Sequence, residues 1–349
     1  MSGLKKREFG KTNKGEMASL YTMSNSQGMG MAVTDYGAAL VSLIVPDKNN
    51  VPLDVVLGYD DTAGYEAGGN HFGATVGRNA NRIGRASFQI NGIQYNLDKN
   101  DNGNNLHSGV DYYNKRIWQV EETGEDSITF LLHSPAGDQG YPGTLDMRVT
   151  YKLTEDNRIC IHYHAVPDED TIINMTNHSY FNLNGHGTGN ILKHELVLDS
   201  DYFTRADKES IPTGELVEVT GTPMDFRTPK EIGAQIDSDY EATRLGQGYD
   251  HNWVLKNNGK FAKVAEVAGD ISGIAMEVWT DLPGVQVYTG NFLNQESGKE
   301  GAVYERRWAV CFETQYFPDA IHHENFVSPV CRAGSSYETV TEYRFHIRE

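Results

Sequence analysis

Apolar and polar residues alternate with a period of two along most of this chain, in short runs cut by Gly, Asn, Asp and Pro. That period puts successive side chains on opposite faces of a strand, so it predicts half-buried β-strands and not amphipathic helices. Phe88 and Ile90 lead through Asn91-Gly92 into Ile93, Tyr95 and Leu97, and the central dipeptide accepts positive φ at both positions, which predicts a tight hairpin. Val149, Tyr151 and Leu153 lead through Glu155-Asp156-Asn157 into Ile159, Ile161, Tyr163 and Ala165, a second hairpin. Further strand-like runs cover 128–133, 194–199, 274–280, 285–289, 308–315 and 337–347, whereas only short segments such as 228–236 suit a helix.

Many strands at short spacing, without alternating helices, predict an all-β fold: a large antiparallel β-sandwich. No repeat of fixed period, low-complexity tract or Pro/Ser-rich linker marks a boundary, so residues 1–349 are expected to form a single domain. A chain of 38.9 kDa can bury a large core without disulfides or a structural metal. The three cysteines, Cys160, Cys311 and Cys331, are odd in number and lack C-x-x-C spacing, as expected of reduced thiols in the cytoplasm.

Charge narrows the partners. With 30 Lys and Arg against 48 Asp and Glu the net charge is −18, which repels a phosphate backbone, so nucleic acid is not expected as a partner. The longest apolar stretch, 38–45, is far short of the about 20 residues of a membrane helix, and no apolar segment follows Lys5, Lys6 and Arg7 as in a secretory signal. A soluble, cytoplasmic protein without membrane contact is the expectation.

Three features suggest chemistry. Between Ile172 and Leu183, even positions carry Asn174, Thr176, His178, Tyr180 and Asn182, while odd positions carry Ile173, Met175, Phe181 and Leu183, interrupted by Asn177 and Ser179. As one strand, this reads as a core-directed odd face and an even face of polar groups that require water or a ligand. In Trp-Ala-Val-Cys-Phe-Glu-Thr-Gln at 308–315, Glu313 sits among residues typical of a buried strand, and burial without a cation raises a carboxyl above its usual value of about 4.3. Catalytic bases are often tuned this way, although a strand-end Glu reaching solvent before Pro318-Asp319 would have the same sequence. Polar Gly-containing loops lie at 77–82, 104–109 and 248–252, where binding residues are commonly placed.

Other motifs carry less. Gly185-His186-Gly187-Thr188-Gly189 lacks the βαβ setting of a nucleotide loop, and no G-x-S-x-G elbow is present. His162 with His164, and His322-His323-Glu324, have metal-ligand residue types, but a solvated strand face and a polar turn account for them equally.

Taken together, G-R-x-A-N-R-I at 77–83, N-L-H-x-G at 105–109, N-H-S-Y-F-N-L at 177–183, Y-D-H-N at 249–252, Y-T-G-N at 288–291 and E-T-Q-x-x-P-D-A at 313–320 resemble the aldose 1-epimerase, or galactose mutarotase, family in order and spacing. Asn79 is a departure, standing where the family usually has a small apolar residue beside the intact Asn81-Arg82 pair. The resemblance implies a galactose mutarotase-like supersandwich that holds an aldohexose in a shallow cleft, with no cofactor and no metal. It places the general base on Glu313 and the general acid on His178. It places the groups that hold sugar hydroxyls on Asn81, Arg82, His107, Tyr180, Asp250 and Gln286.

Interconverting α and β anomers needs one group to take the C1 hydroxyl proton and another to protonate the ring oxygen, after which C1–C2 rotates and the ring recloses. One group must start ionised and the other protonated, which predicts a bell-shaped pH dependence with its acid limb on Glu313. The rival classes are a noncatalytic sugar-binding sandwich, a glycosidase pairing Glu313 with Asp250 or Asp281, and a hexose-phosphate epimerase, for which only Arg78 and Arg82 offer nearby positive charge.

Overall fold

A computed structural model describes residues 3–348. Among them, every named strand pair is antiparallel, and three large sheets are built. The first contains Lys5–Lys11, Met17–Ser24, Gly30–Thr34, Ala39–Pro46 and Pro52–Asp54 in chain order. The second has nine strands, with Leu145–Leu153, Arg158–Pro167, Tyr337–Ile347 and Ile274–Thr280 adjacent at its centre. The third has six, in the order Tyr180–Phe181, Val310–Gln315, Gly284–Tyr288, Asp250–Val254, Tyr202–Ala206 and Pro212–Glu218. The first and third sheets join edge to edge, because Asn182 N–H donates to Val55 O and Leu57 N–H to Tyr180 O, both at 2.9 Å.

This joined layer packs on the nine-stranded sheet across one apolar core, which takes Tyr21, Val33 and Leu40 from the first sheet, Met147, Tyr163, Val278 and Tyr343 from the second, and Trp253, Val285, Val287, Val310 and Phe312 from the third. Buried tyrosine hydroxyls pin the layers: Tyr343 donates to Phe312 O at 3.0 Å and Tyr151 to Ala38 O at 2.8 Å. Each thereby satisfies a polar atom that burial would otherwise penalise.

The strand alternation set this up, and most predicted strands are present. Ile90 faces Ile93 across Asn91-Gly92, and Leu153 faces Ile159 in the second hairpin. Ile93 nevertheless lies 57% exposed at the hairpin tip. The five-stranded sheet was not anticipated, since its strands carry weak alternation. Helices are short: Thr62–Ala67, Glu241–Leu245 and a few single turns, one of them Ile232–Ala234 within the segment expected to be helical.

The single strand expected over Ile172 to Leu183 is corrected to three short pieces that change partners. Thr171–Ile172 pairs with Val330–Cys331, Thr176–His178 with Ala74–Val76, and Tyr180–Phe181 with Val310 and Cys311. Each switch re-aims the side chains, so both parities end up buried. Asn177 donates from Nδ2 to Gly73 O and to the Tyr151 hydroxyl, and Ser179 donates to Asn177 Oδ1. Asn174 and Asn182 likewise brace backbone, at Tyr316 N–H and at Gly189 and Trp308 carbonyls. No helix among the described residues is long and apolar enough to cross a membrane.

Candidate active site

The outer face of the six-stranded sheet carries the polar residues that its inner face excludes. Along Val310–Gln315, Val310 and Phe312 enter the core, so Cys311, Glu313 and Gln315 point the other way. The neighbouring strands match: Gln286 lies opposite Glu313, Asn252 opposite Gln286, and Tyr288 opposite both Asp250 and Cys311. The next strand places Tyr180 opposite Cys311. Tyr180, Tyr288 and Cys311 join Phe72, Leu293 and Tyr304 in a second apolar cluster beside this face, which shields one side of the polar row from water.

Two loops complete the site. Arg82 and Ile83 pair with Leu106 and Asn105 in a two-stranded ribbon. His107 N–H donates to Asn81 O at 3.0 Å while Asn81 N–H donates to His107 Nδ1 at 3.1 Å, a reciprocal clasp that holds both residues at positive φ, 59° and 53°. Ser108 repeats the device on Asn79, accepting its N–H at 2.7 Å and donating to its carbonyl at 3.1 Å. The Asn79 side chain folds onto Ala80 O at 2.9 Å, so this departure from the family pattern leaves the Asn81-Arg82 pair undisturbed.

At the centre, His178 Nε2 lies 3.6 Å from Glu313 Oε1, and both residues are buried. Burial, reinforced by Asp250 and opposed by Arg82, pushes the Glu313 carboxyl well above its ordinary value. Burial, with the neighbouring His71, lowers His178 to about 3. Burial thus disfavours charge on both members of the pair. Glu313 Oε2 and His178 Nδ1 have no hydrogen-bond partner in the protein. The upward shift of Glu313 has the direction expected of a buried base.

Around this pair, Gln286 donates from Nε2 to Asp250 Oδ1 at 2.7 Å, and Arg82 donates from Nε to Asp101 at 2.7 Å. Burial holds His107 well below its ordinary pKa. A neutral imidazole accepting at Nδ1 carries its hydrogen on Nε2, so His107 can offer a sugar a donor. His107, His178 and Glu313 each place one donor atom within 4.8 Å of the others. They do not form a metal triad, because a metal-binding histidine normally donates from its second nitrogen, whereas His107 accepts there.

All eight expected site residues, His178, Glu313, Asn81, Arg82, His107, Tyr180, Asp250 and Gln286, therefore fall in this neighbourhood or directly support it. Arg78 does not. It is fully buried, donating to Ser134, the Pro142 and Gly143 carbonyls and Thr171, and serves the fold. Asp281 accepts the Val340 N–H at 3.0 Å outside this cluster, and His322 pairs with Asp319 at 2.6 Å. Sequence reading missed three residues of the sheet face, Tyr288, Asn252 and Gln315, and it missed His71. Strand parity from Gln286, Asp250 and Glu313 would have found the first three; no local pattern marks the fourth.

The aldose 1-epimerase family model matches residues 19–344. The chain belongs to the aldose 1-epimerase family. The galactose mutarotase of Bos taurus is 38% identical over 316 residues, covering 90% of each chain, and the aldose 1-epimerase of Escherichia coli K12 is 34% identical over 334 residues, covering 95% of this chain and 96% of its own. Among solved structures, an aldose epimerase homologue from C. elegans superposes with a TM-score of 0.87 at 29% identity over 94% of this chain and 98% of its own. A galactose 1-epimerase from Lactobacillus acidophilus shares the fold at a TM-score of 0.88 and 24% identity over the full length of both chains. The architecture of this aldose 1-epimerase family member is thus the antiparallel sandwich expected of it.

Proposed function

We propose that this protein interconverts the α and β anomers of an aldohexose such as galactose or glucose, with Glu313 as base and His178 as acid. The observation that carries the reading is the buried His178–Glu313 pair at 3.6 Å. Ring opening takes one proton from O1 and gives one to the ring oxygen, so a pair with a single proton begins and ends each turnover with the same count. In the productive form the proton sits on His178 and the carboxylate faces O1–H. Arg82 favours that form, because its charge lowers Glu313. His107 Nε2–H, Asp250, Gln286, Asn81 and Arg82 hold the hydroxyls so that the opened aldehyde stays in place while C1 turns. Tyr180 stacks on the His178 ring at 5.0 Å and walls the cleft.

The three sheets share one core, which supports one catalytic domain, and three unpaired cysteines are compatible with a cytoplasmic setting. A phosphate group would need a cluster of free cations. Arg82 is instead paired with Asp101 and Arg78 is consumed in the fold. Polarimetry of freshly dissolved α-galactose, α-glucose and galactose 6-phosphate tests the reading. The free hexoses should reach anomeric equilibrium faster with protein than without, and no acceleration for any aldose would overturn it.

A further inference from the structure

A catalytic imidazole usually takes its orientation from a hydrogen bond at its second nitrogen. His178 makes none to another residue, since its Nδ1 is buried with no side chain or neighbouring backbone group bonded to it. Rings surround it instead. Tyr180 stacks against it at 5.0 Å between centroids and 18° between planes, and His71 stacks at 6.0 Å and 30°. His107 and Tyr288 meet it edge-on at 5.5 and 6.3 Å.

His71 is placed by the same backbone that places His178. Ala74 is the register partner of His178, Gly73 N–H donates to His178 O at 3.0 Å, and Ala74 N–H returns to His71 O at 3.1 Å. His71 takes a left-handed φ of 56°, followed two residues later by Gly73 at 63°. A Cβ on Gly73 would come within 1.8 Å of Leu40 O, so the turn that delivers His71 requires glycine. His71 also meets His107 edge-on at 5.1 Å and Tyr112 at 4.9 Å, so one ring touches both histidines of the site.

We propose that His71 is a positioning residue that holds the His178 imidazole in its productive plane by ring stacking, in place of the missing Nδ1 hydrogen bond. The proposal rests on the mutarotase reading above and deepens it. Its contribution is a ring face and not a proton: burial, helped by Lys115, keeps His71 neutral down to about pH 4.

The test compares His71→Phe, which keeps a ring without nitrogens, with His71→Leu and His71→Ala, which lack one. Polarimetry on α-galactose should give a kcat for His71→Phe within about twofold of the parent. His71→Leu and His71→Ala should fall about three- to tenfold, the range an aromatic pair supplies, with KM unchanged. Melting temperatures identify any variant that has not folded, and His71→Leu keeps enough volume to stand in for His71→Ala. Equal losses in the Phe and Leu variants would overturn stacking as the cause, and unchanged kcat in the Leu variant would overturn any positioning role. Independently of turnover, the His178 ring resonances in an 15N-histidine spectrum should stay sharp in the Phe variant and broaden in the Leu variant. Sharp resonances in both would overturn the proposal even if the parent protein accelerated no mutarotation, an outcome that would count against the mutarotase reading alone.

Discussion

Glu313→Gln should remove more than a base. The substitution keeps shape, and Glu313 Oε2 has no hydrogen-bond partner in the protein to lose, so the fold and sugar binding should survive. Loss of a general base alone costs about 10² to 10⁴ in rate. The geometry adds a second loss. At 3.6 Å the carboxylate and imidazolium attract by roughly 5 kcal/mol at an effective dielectric constant of about 20, equivalent to more than three pK units. Burial already lowers His178 with Glu313 in place, and removing the carboxylate takes away the attraction that favours its charged form. His178 would then be charged less readily than in the parent, a loss of up to the same roughly 5 kcal/mol. The expected kcat at pH 7 is therefore at least 10²-fold below the parent, approaching 10⁴-fold where proton delivery limits. Residual activity should rise about tenfold per unit as the pH falls from 7 towards 4. Polarimetry of α-galactose with the uncatalysed rate subtracted at each pH measures both quantities. A variant within about threefold of the parent would refute the base assignment, and a residual rate flat with pH would refute the coupling argument.

In the parent protein, kcat/KM should follow a bell-shaped pH dependence, because turnover needs one member of the pair ionised and the other protonated. A profile flat from pH 5 to 9, with chemistry rate-limiting, would contradict a Glu313–His178 acid–base pair. Because ring opening breaks the bond to the ring oxygen and leaves O1 in place, sugar turned over in heavy-oxygen water should gain no label beyond the spontaneous aldehyde-hydrate background. One heavy oxygen per turnover would favour the glycosidase-like path. His251, buried and lowered to about 4, binds its proton far more readily unfolded, where its pKa is about 6.5, so stability should fall as the pH drops below that value. Unfolding free energies from urea titration at pH 7 and 5 should differ by about 2 kcal/mol less in His251→Phe than in the parent, and an identical difference would show that the histidine is not the cause.

Strand alternation alone determined the class of fold, because a period of two leaves each run one apolar face to bury, and most strands of the nine-stranded sheet lie where that pattern put them. It also made Glu313 conspicuous, since a carboxylate in Val-Cys-Phe-Glu-Thr-Gln has no inexpensive place on a buried strand. The order of the six motifs then located His178, Arg82, His107 and Asp250 before their distances were known. What the sequence could not decide was anything that depends on which strand lies beside which. Ile172 to Leu183 reads as one strand, yet it changes partners twice, and Asn177 and Ser179 become buried struts instead of gaps in an apolar face. Arg78 and Arg82 stand four residues apart in one motif, and only packing sends the first into the carbonyls at 142 and 143 and the second to the rim of the site. The depth of burial that shifts both members of the central pair comes from segments far away in sequence, which no local run of residues states. His71 reaches His178 because Gly73 turns the chain beneath Leu40, a contact between strands that no run of neighbouring letters encodes.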